Sequence, residues 1–239
     1  MYLGIDIGTS SVKVVALDDR DVVVEQASAP LTVSRPYNGW SEQNPSDWWR
    51  ATQDAVSGIS ARVRRNVQAI GLSGQMHGAT LLDAADRPLR PAILWNDGRS
   101  AAQCAVLERQ EPASRRITGN IAMPGFTAPK LMWLREHEPE VYNQIAHILL
   151  PKDYVRLKMS GTYATEVAGG SGIALMDIAS RTWSDEMLAA FDFPTGTLHP
   201  NAANDGPYGV WTCFPIPLSE YEGNANLTKP TNPNVPPGI

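Results

Sequence analysis

The chain has 239 residues, 43% of them hydrophobic, with seven tryptophans and a formal net charge of −5, which allows one large domain or two small ones around a substantial core. The acidic balance and the lack of a Lys/Arg-rich block argue against a nucleic-acid partner. Cys104 and Cys213 lie far apart without metal-ligand spacing, the first residues form a core strand rather than a basic leader, and no run reaches the length of a membrane span, so the expected setting is cytoplasmic, reducing and away from membranes.

The opening run Gly4-Ile5-Asp6-Ile7-Gly8-Thr9-Ser10 sits between two stretches of apolar alternation, which predicts two strands joined by a glycine turn. Asp6 ends the first strand, and Gly8, Thr9 and Ser10 cross between them. Such a corner suits phosphate: Gly8 lets a ligand approach the backbone, Thr9 and Ser10 donate to phosphoryl oxygens, Asp6 holds Mg²⁺ or its water shell, and Lys13 adds a cation. Taken alone, the fragment is equally a plain strand-turn-strand with a polar corner.

Residues 22–27 predict a third strand and an antiparallel meander. Helix-start chemistry at Asn44-Pro45-Ser46-Asp47, followed by Trp48, Ala51, Thr52, Ala55, Ile59 and Val63 at helical spacing, predicts one long amphipathic helix with Arg62, Arg64 and Arg65 at its solvated end. Residues 67–73 read as a strand, broken by Gly74-Gln75-Met76-His77-Gly78 where a carboxyl-end loop opens. Residues 79–82 and 91–95 read as further strands, and Asn96-Asp97-Gly98 as the cap of a helix through Leu107. Beyond these come a helix over 129–142, a strand over 145–150, a short helix ending at Gly161, an extended stretch over 162–166, a flexible loop over 168–172 and a last helix starting at Trp183-Ser184-Asp185-Glu186. Regularity ends near Phe191, and 194–239 reads as an irregular Pro- and Asn-rich tail.

Two loops carry further chemistry. Gln75, Met76 and His77 offer an amide, a thioether and an imidazole, a set suited to a small polyhydroxyl compound with one apolar side, although a lone histidine is more often structural. Trp95 offers a flat apolar wall and Asn96 and Asp97 offer hydroxyl partners; the alternative puts Trp95 in the core and makes Asp97 a helix cap.

Together with the hairpin, these loops resemble the amino-terminal part of the FGGY family of carbohydrate kinases, and within it the xylulose-phosphorylating branch. Residues 4–10, Leu31-Thr32-Val33-Ser34-Arg35-Pro36, Trp40-Ser41-Glu42-Gln43, residues 74–78 and 93–99, Gly125-Phe126-Thr127-Ala128-Pro129-Lys130-Leu131-Met132-Trp133-Leu134 and Leu149-Leu150-Pro151-Lys152-Asp153-Tyr154 carry the resemblance, in the family's order. It implies an α/β, ribonuclease-H-like (actin-like ATPase) domain over residues 1–193, incomplete at its end, with a mixed five-stranded sheet and helices on both faces, the first of two domains that close over sugar and ATP. It also implies ATP and Mg²⁺ as cofactors and transfer of the γ-phosphoryl to the ketose D-xylulose, giving the 5-phosphate. Asp6, Gly8, Thr9 and Ser10 would face metal and phosphate, with Lys13 nearby, while Gln75, Met76 and His77 would contact the open-chain sugar.

The sequence departs from that pattern in three places. The family's general-base aspartate sits in a glycine-rich G-x-G-D-N/Q segment that has no counterpart here, and Asp205 lacks the surrounding glycines. Glu166 stands where the family usually has Asp, and Gly169 where it has a polar residue, changes expected to loosen that loop. The tail after Phe193 no longer resembles the family, which suggests a truncated or frame-shifted product inactive alone. The alternative is a non-catalytic sugar-binding or regulatory fragment.

Overall fold

Alternation along the first two strands decides which side of the protein is its core. In β1 (Tyr2–Ile7) and β2 (Ser11–Leu17), Leu3, Ile5, Ile7, Val12, Val14 and Ala16 share one face and are buried, while Tyr2, Asp6 and Lys13 lie exposed on the other. The computed structural model describes residues 1–191; the expected tail, Asp205 and Cys213 lie outside them. β3 (Val23–Pro30) completes the meander, and the two-residue β4 (Glu42–Gln43) leads into α1 (Pro45–Ser57). Asn44 caps α1 by accepting from Ser46 N, and Pro45 occupies the first turn, where no amide is needed. After α2 (Ala61–Arg64), β5 (Ala69–Gly74) returns beside β1, parallel to it. The sheet order is β3-β2-β1-β5, with Asp6 opposite Lys13 on β2 and opposite Ser73 on β5.

The chain continues through β6 (Thr80–Leu82), β7 (Ala92–Ile93), α3 (Ala101–Gln110), α4 (Ser114–Thr118), α5 (Thr127–His137), α6 (Pro139–Tyr142), β8 (His147–Leu149), α7 (Pro151–Ser160), α8 (Val167–Ser171), β9 (Met176–Asp177), β10 (Thr182–Trp183) and α9 (Asp185–Ala190). β6 pairs with β8, β4 with β7, and β9 with β10. Two apolar cores result. One joins the four-stranded sheet to α1 and α7 around Trp48, and the other joins α3 and α5 to β6 and β8 and reaches Phe191. β8 and the start of α7 link them, with Leu149 in the first and Ile148 and Leu150 in the second.

Four expectations are corrected. The main sheet has four strands among the described residues, not five, because after β5 the chain turns away and its short strands pair among themselves. Among the described residues the helices that meet that sheet, α1 and α7, pack on one face and not both; the other face carries Asp6, Lys13 and Ser73 with Gly4 and Gly71 and has little to bury. The long helix over 44–63 is interrupted at Gly58 and capped anew by Ser60, although Ile59 and Val63 remain buried as the spacing requires. The helix over 129–142 breaks at Glu138, ahead of Pro139. The β9–β10 hairpin and α4 had no signal strong enough to find.

No helix among the described residues is long and apolar enough to cross a membrane.

Trp48 is fully buried, packs edge-on to Tyr154 and donates its indole proton to Gln43 Oε1 at 3.0 Å. Trp48→Ala leaves a cavity and removes one of the two donors to Gln43 Oε1, and is expected to lower the unfolding free energy by about 3–5 kcal/mol in equilibrium urea denaturation.

Candidate functional site

Because β1 and β5 run parallel, their carboxyl ends finish at the same edge of the sheet, and the chain leaves each through a polar turn. Gln75 N continues the ladder by donating to Ile7 O at 2.8 Å. Glycine keeps these turns close to their neighbours: a Cβ on Gly74 would lie 3.0 Å from Ile7 O and 3.3 Å from Lys152 Cβ, and one on Gly78 would lie 2.6 Å from Pro151 Cγ. In the β1–β2 turn Gly8 N donates to Ser11 O at 3.1 Å, and a Cβ on Gly8 would lie 2.9 Å from that oxygen. Asp6 and Ser10 are exposed and Thr9 is half-buried.

The two turns are hydrogen-bonded together through side chains. Thr9 Oγ1 donates to Gln75 Oε1 at 3.1 Å and accepts from Trp95 Nε1 at 3.1 Å. Gln75 Nε2 donates to Gln43 Oε1 at 2.8 Å, and Gln43 Nε2 donates back to Thr9 O at 2.7 Å. Gln43 was not among the residues singled out from sequence. The available signal was a glutamine within Trp40-Ser41-Glu42-Gln43 just ahead of a helix, and its burial is what reveals its place.

His77 is shaped from three sides. Its backbone is left-handed, at φ 62°, a conformation uncommon outside glycine that histidine tolerates better than most residues. Lys130 Nζ donates to its carbonyl oxygen at 2.7 Å, and Thr127 Oγ1 donates to the same atom at 3.2 Å. Phe126 meets the ring edge-on, and Nδ1 lies 3.0 Å from Gly172 O. A carbonyl can only accept, so Nδ1 carries the proton and Nε2 is left as an acceptor. Burial pulls the imidazole below its ordinary pKa, and the nearby Lys130 charge adds to this against the opposing Gly172 carbonyl. Lys130 itself is buried completely, and that burial lowers its ammonium to about 7, opposed by Asp97 and reinforced by Arg99.

The flexible loop expected at 168–172 is instead α8, and Glu166 and Gly169, expected to loosen it, build its first turn. Glu166 caps the helix by accepting from Gly169 N at 2.6 Å while its Oε1 meets Lys152 Nζ at 3.2 Å. A Cβ on Gly169 would lie 2.4 Å from Glu166 Oε1 and 2.9 Å from Leu150 Cδ1, so glycine makes room for the cap rather than slackening it. Lys152 also meets Asp153 Oδ1 at 2.5 Å. Burial works against its charge, but Asp153 and Glu166 outweigh it, and the ammonium is held above its ordinary value.

Of the other residues expected in the site, Met76 and Trp95 are each nearly half exposed beside the turns, and Trp95 is therefore not a core residue. Asn96 is exposed but faces a shallow hollow with Arg35, Tyr37 and Trp40. Asp97 is corrected: it is buried and its oxygens are already committed, to Ser41 N at 2.6 Å and to Arg99 N, Nε and Nη2 at 2.8–2.9 Å, so no ligand hydroxyl can reach it. Nor does it cap α3, whose preceding residue is Ser100. Lys13 is Asp6's cross-strand neighbour on the exposed face. Among the described residues no group of three acids, histidines or cysteines could enclose a cation. A single exposed carboxylate beside a glycine turn instead suits Mg²⁺, which keeps most of its waters and shares phosphoryl oxygens.

The model of the amino-terminal domain of the FGGY family of carbohydrate kinases matches residues 1–205. The xylulose kinase of Escherichia coli strain K12 is 54% identical over 193 residues, covering 80% of this chain and 40% of that protein, and the one from Bacillus subtilis is 40% identical over 189 residues, covering 77% and 38%. The crystal structure of a xylulose kinase from Brucella ovis matches with a TM-score of 0.81 at 47% identity, over 84% of this chain and 42% of that one. The chain thus spans about two fifths of the length of these relatives.

The His77 imidazole is expected to titrate below its ordinary value, followed by the pH dependence of its C2 proton in NMR spectra. The unfolded chain then binds the proton more tightly than the folded one, so stability falls as pH drops through the ordinary imidazole value and levels off below the lowered, folded one. Gly172→Ala would put a methyl 2.2 Å from the ring; it should expel the imidazole and return its midpoint toward the ordinary value.

Proposed function

The chain belongs to the FGGY family of carbohydrate kinases, and from that premise we propose that it carries the sugar-side and phosphate-side loops of a xylulokinase-type enzyme, which transfers the ATP γ-phosphoryl to D-xylulose. The observation that supports this most is the direct bonding of the β1–β2 turn to the loop after β5: Thr9 lies one hydrogen bond from both Gln75 and Trp95. A site that must bring a phosphoryl donor against a sugar hydroxyl needs that adjacency. The xylulose kinase relatives support the choice of ketose.

Phosphoryl transfer leaves little covalent work to a protein, so catalysis is mostly positioning and charge neutralisation. In this reading Met76 and Trp95 flank the sugar's carbon skeleton, and His77 Nε2 accepts from one of its hydroxyls. The lowered His77 pKa keeps that acceptor lone pair available near neutral pH. Ser10 and the turn backbone present donors to phosphoryl oxygens, the Thr9 hydroxyl joins them once its proton leaves Gln75, and Lys13 adds positive charge beside Asp6. Asp6 would hold Mg²⁺, which when bound would supply charge neutralisation for the transferred group. Asp6 organises metal and phosphate; the proton acceptor for the sugar hydroxyl is a separate group, and none of these residues takes that part.

The expected behaviour of this chain is sugar binding without turnover. Isothermal calorimetry should detect D-xylulose binding, while coupled assays with Mg-ATP should show no phosphorylation above a vector control; turnover would overturn the second expectation. His77→Ala should weaken D-xylulose binding at least about tenfold, the loss of a hydrogen bond to a partly buried site, and leave nucleotide binding unchanged. Equal loss of both would indicate misfolding.

A further inference from the structure

An indole nitrogen can only donate, and a hydroxyl has one proton to give. These two facts fix the direction of every hydrogen bond around Thr9. At the buried end Trp48 Nε1 donates to Gln43 Oε1, which turns Gln43 Nε2 toward the carbonyl oxygens of Thr9 at 2.7 Å and Thr32 at 3.3 Å. Gln43 Oε1 being an acceptor, Gln75 has to present Nε2 to it, and Gln75 Oε1 then faces Thr9. Thr9 must donate its proton there. At the exposed end Trp95 Nε1 donates to the same hydroxyl, which agrees: one bond given, one received. The Thr9 hydroxyl has no proton left for a phosphoryl oxygen.

We propose that Gln43 is a positioning residue that makes the sugar loop and the phosphate turn bind their ligands cooperatively. The inference rests on the reading of these loops given above. Turning the Thr9 proton to a phosphoryl oxygen strips Gln75 Oε1 of its donor in a part-buried place, which opposes anion binding. A sugar hydroxyl that donates to Gln75 Oε1 supplies the missing bond, so the proton can leave without that cost. No covalent bond changes; one donor replaces another. Gln43 sets the effect because it alone dictates which end of the Gln75 amide faces Thr9. By linkage, the anion must strengthen sugar binding by the same factor.

The test uses this chain with D-xylulose and magnesium tripolyphosphate, each titrated calorimetrically alone and in the presence of the other. Each ligand is expected to lower the other's Kd by about fivefold or more, the lower end of ordinary coupling between sites. Gln75→Leu, which removes the acceptor for the Thr9 proton, should tighten tripolyphosphate binding in the absence of sugar and make it independent of sugar, a gain that structural damage would not produce. Gln43→Leu should abolish the coupling. Independent wild-type affinities, coupling that survives Gln43→Leu, or weakened anion binding in Gln75→Leu would each overturn the proposal. Should D-xylulose fail to bind at all, the sugar reading falls and the cooperativity with it, whereas D-xylulose that binds with an affinity independent of tripolyphosphate leaves the sugar reading standing and overturns the proposal alone. Hydrogen exchange of the Trp95 indole reads the positioning separately: Gln43→Leu is expected to accelerate it about tenfold by releasing the Thr9 backbone, and unchanged exchange would refute the positioning role of Gln43.

Discussion

The parallel pairing of β1 with β5 is the constraint on which the site depends. An antiparallel return would send the two polar turns to opposite ends of the sheet. The crossover through α1 brings Gly74 beside Ile7 in register, so that the residues after each strand, Gly8 to Ser10 and Gln75 to His77, emerge at one edge. This edge lies at the carboxyl ends of the strands, where open α/β sheets bind their ligands. Holding that register is the task of the core beneath it: Trp48 both fills the space under the sheet and, through its indole proton, orients the glutamine that ties the turns together. One side chain thus serves packing and polarity at once.

The second core contributes by holding the His77 backbone in its left-handed conformation. Lys130 reaches the His77 carbonyl from inside the protein, where an ammonium is costly, and Asp97 is the charge that offsets it. Arg99 shares that aspartate, stacks on Trp40 with its guanidinium carbon 3.5 Å from the ring centroid, and continues through Glu42 and Arg90 to Glu138. Asp97 therefore bears on the loop after β5 by way of Lys130, which holds the His77 carbonyl. The loop at 95–99 carries Trp95 outward and Asp97 inward, a division that a reading of residue types alone merges into one binding surface.

Much of this was legible in the sequence, and the pattern of what was not has a physical cause. Strand alternation at residues 2–17 and the helix cap at Asn44 are local effects of backbone and side-chain period, and they survive in the folded chain with small shifts. The four-strand count, the Asp97–Arg99–Glu42 chain and the Gln43 hub arise from residues far apart in sequence and meet only after the two cores form. His77 shows both cases. Its presence in a glycine-flanked loop marked it, but its left-handed backbone, its tautomer and its lowered pKa come from Lys130, Phe126 and Gly172, none within forty residues of it.

Glu166 and the glycines of the 166–172 segment show how local reasoning can reverse sign. A glycine without context means freedom, and Gly169 read that way loosens a loop. In the fold its missing side chain is the space that Glu166 Oε1 occupies to cap α8 and to meet Lys152, and Gly172 likewise cedes its side-chain volume to the His77 ring. The longer glutamate supplies the reach that bonds the cap to α7, and the glycine supplies the clearance. Glu166 and Gly169 thus act as a pair, a carboxylate that caps α8 and a backbone that gives it room, and Gly172 at the end of the same helix closes against His77.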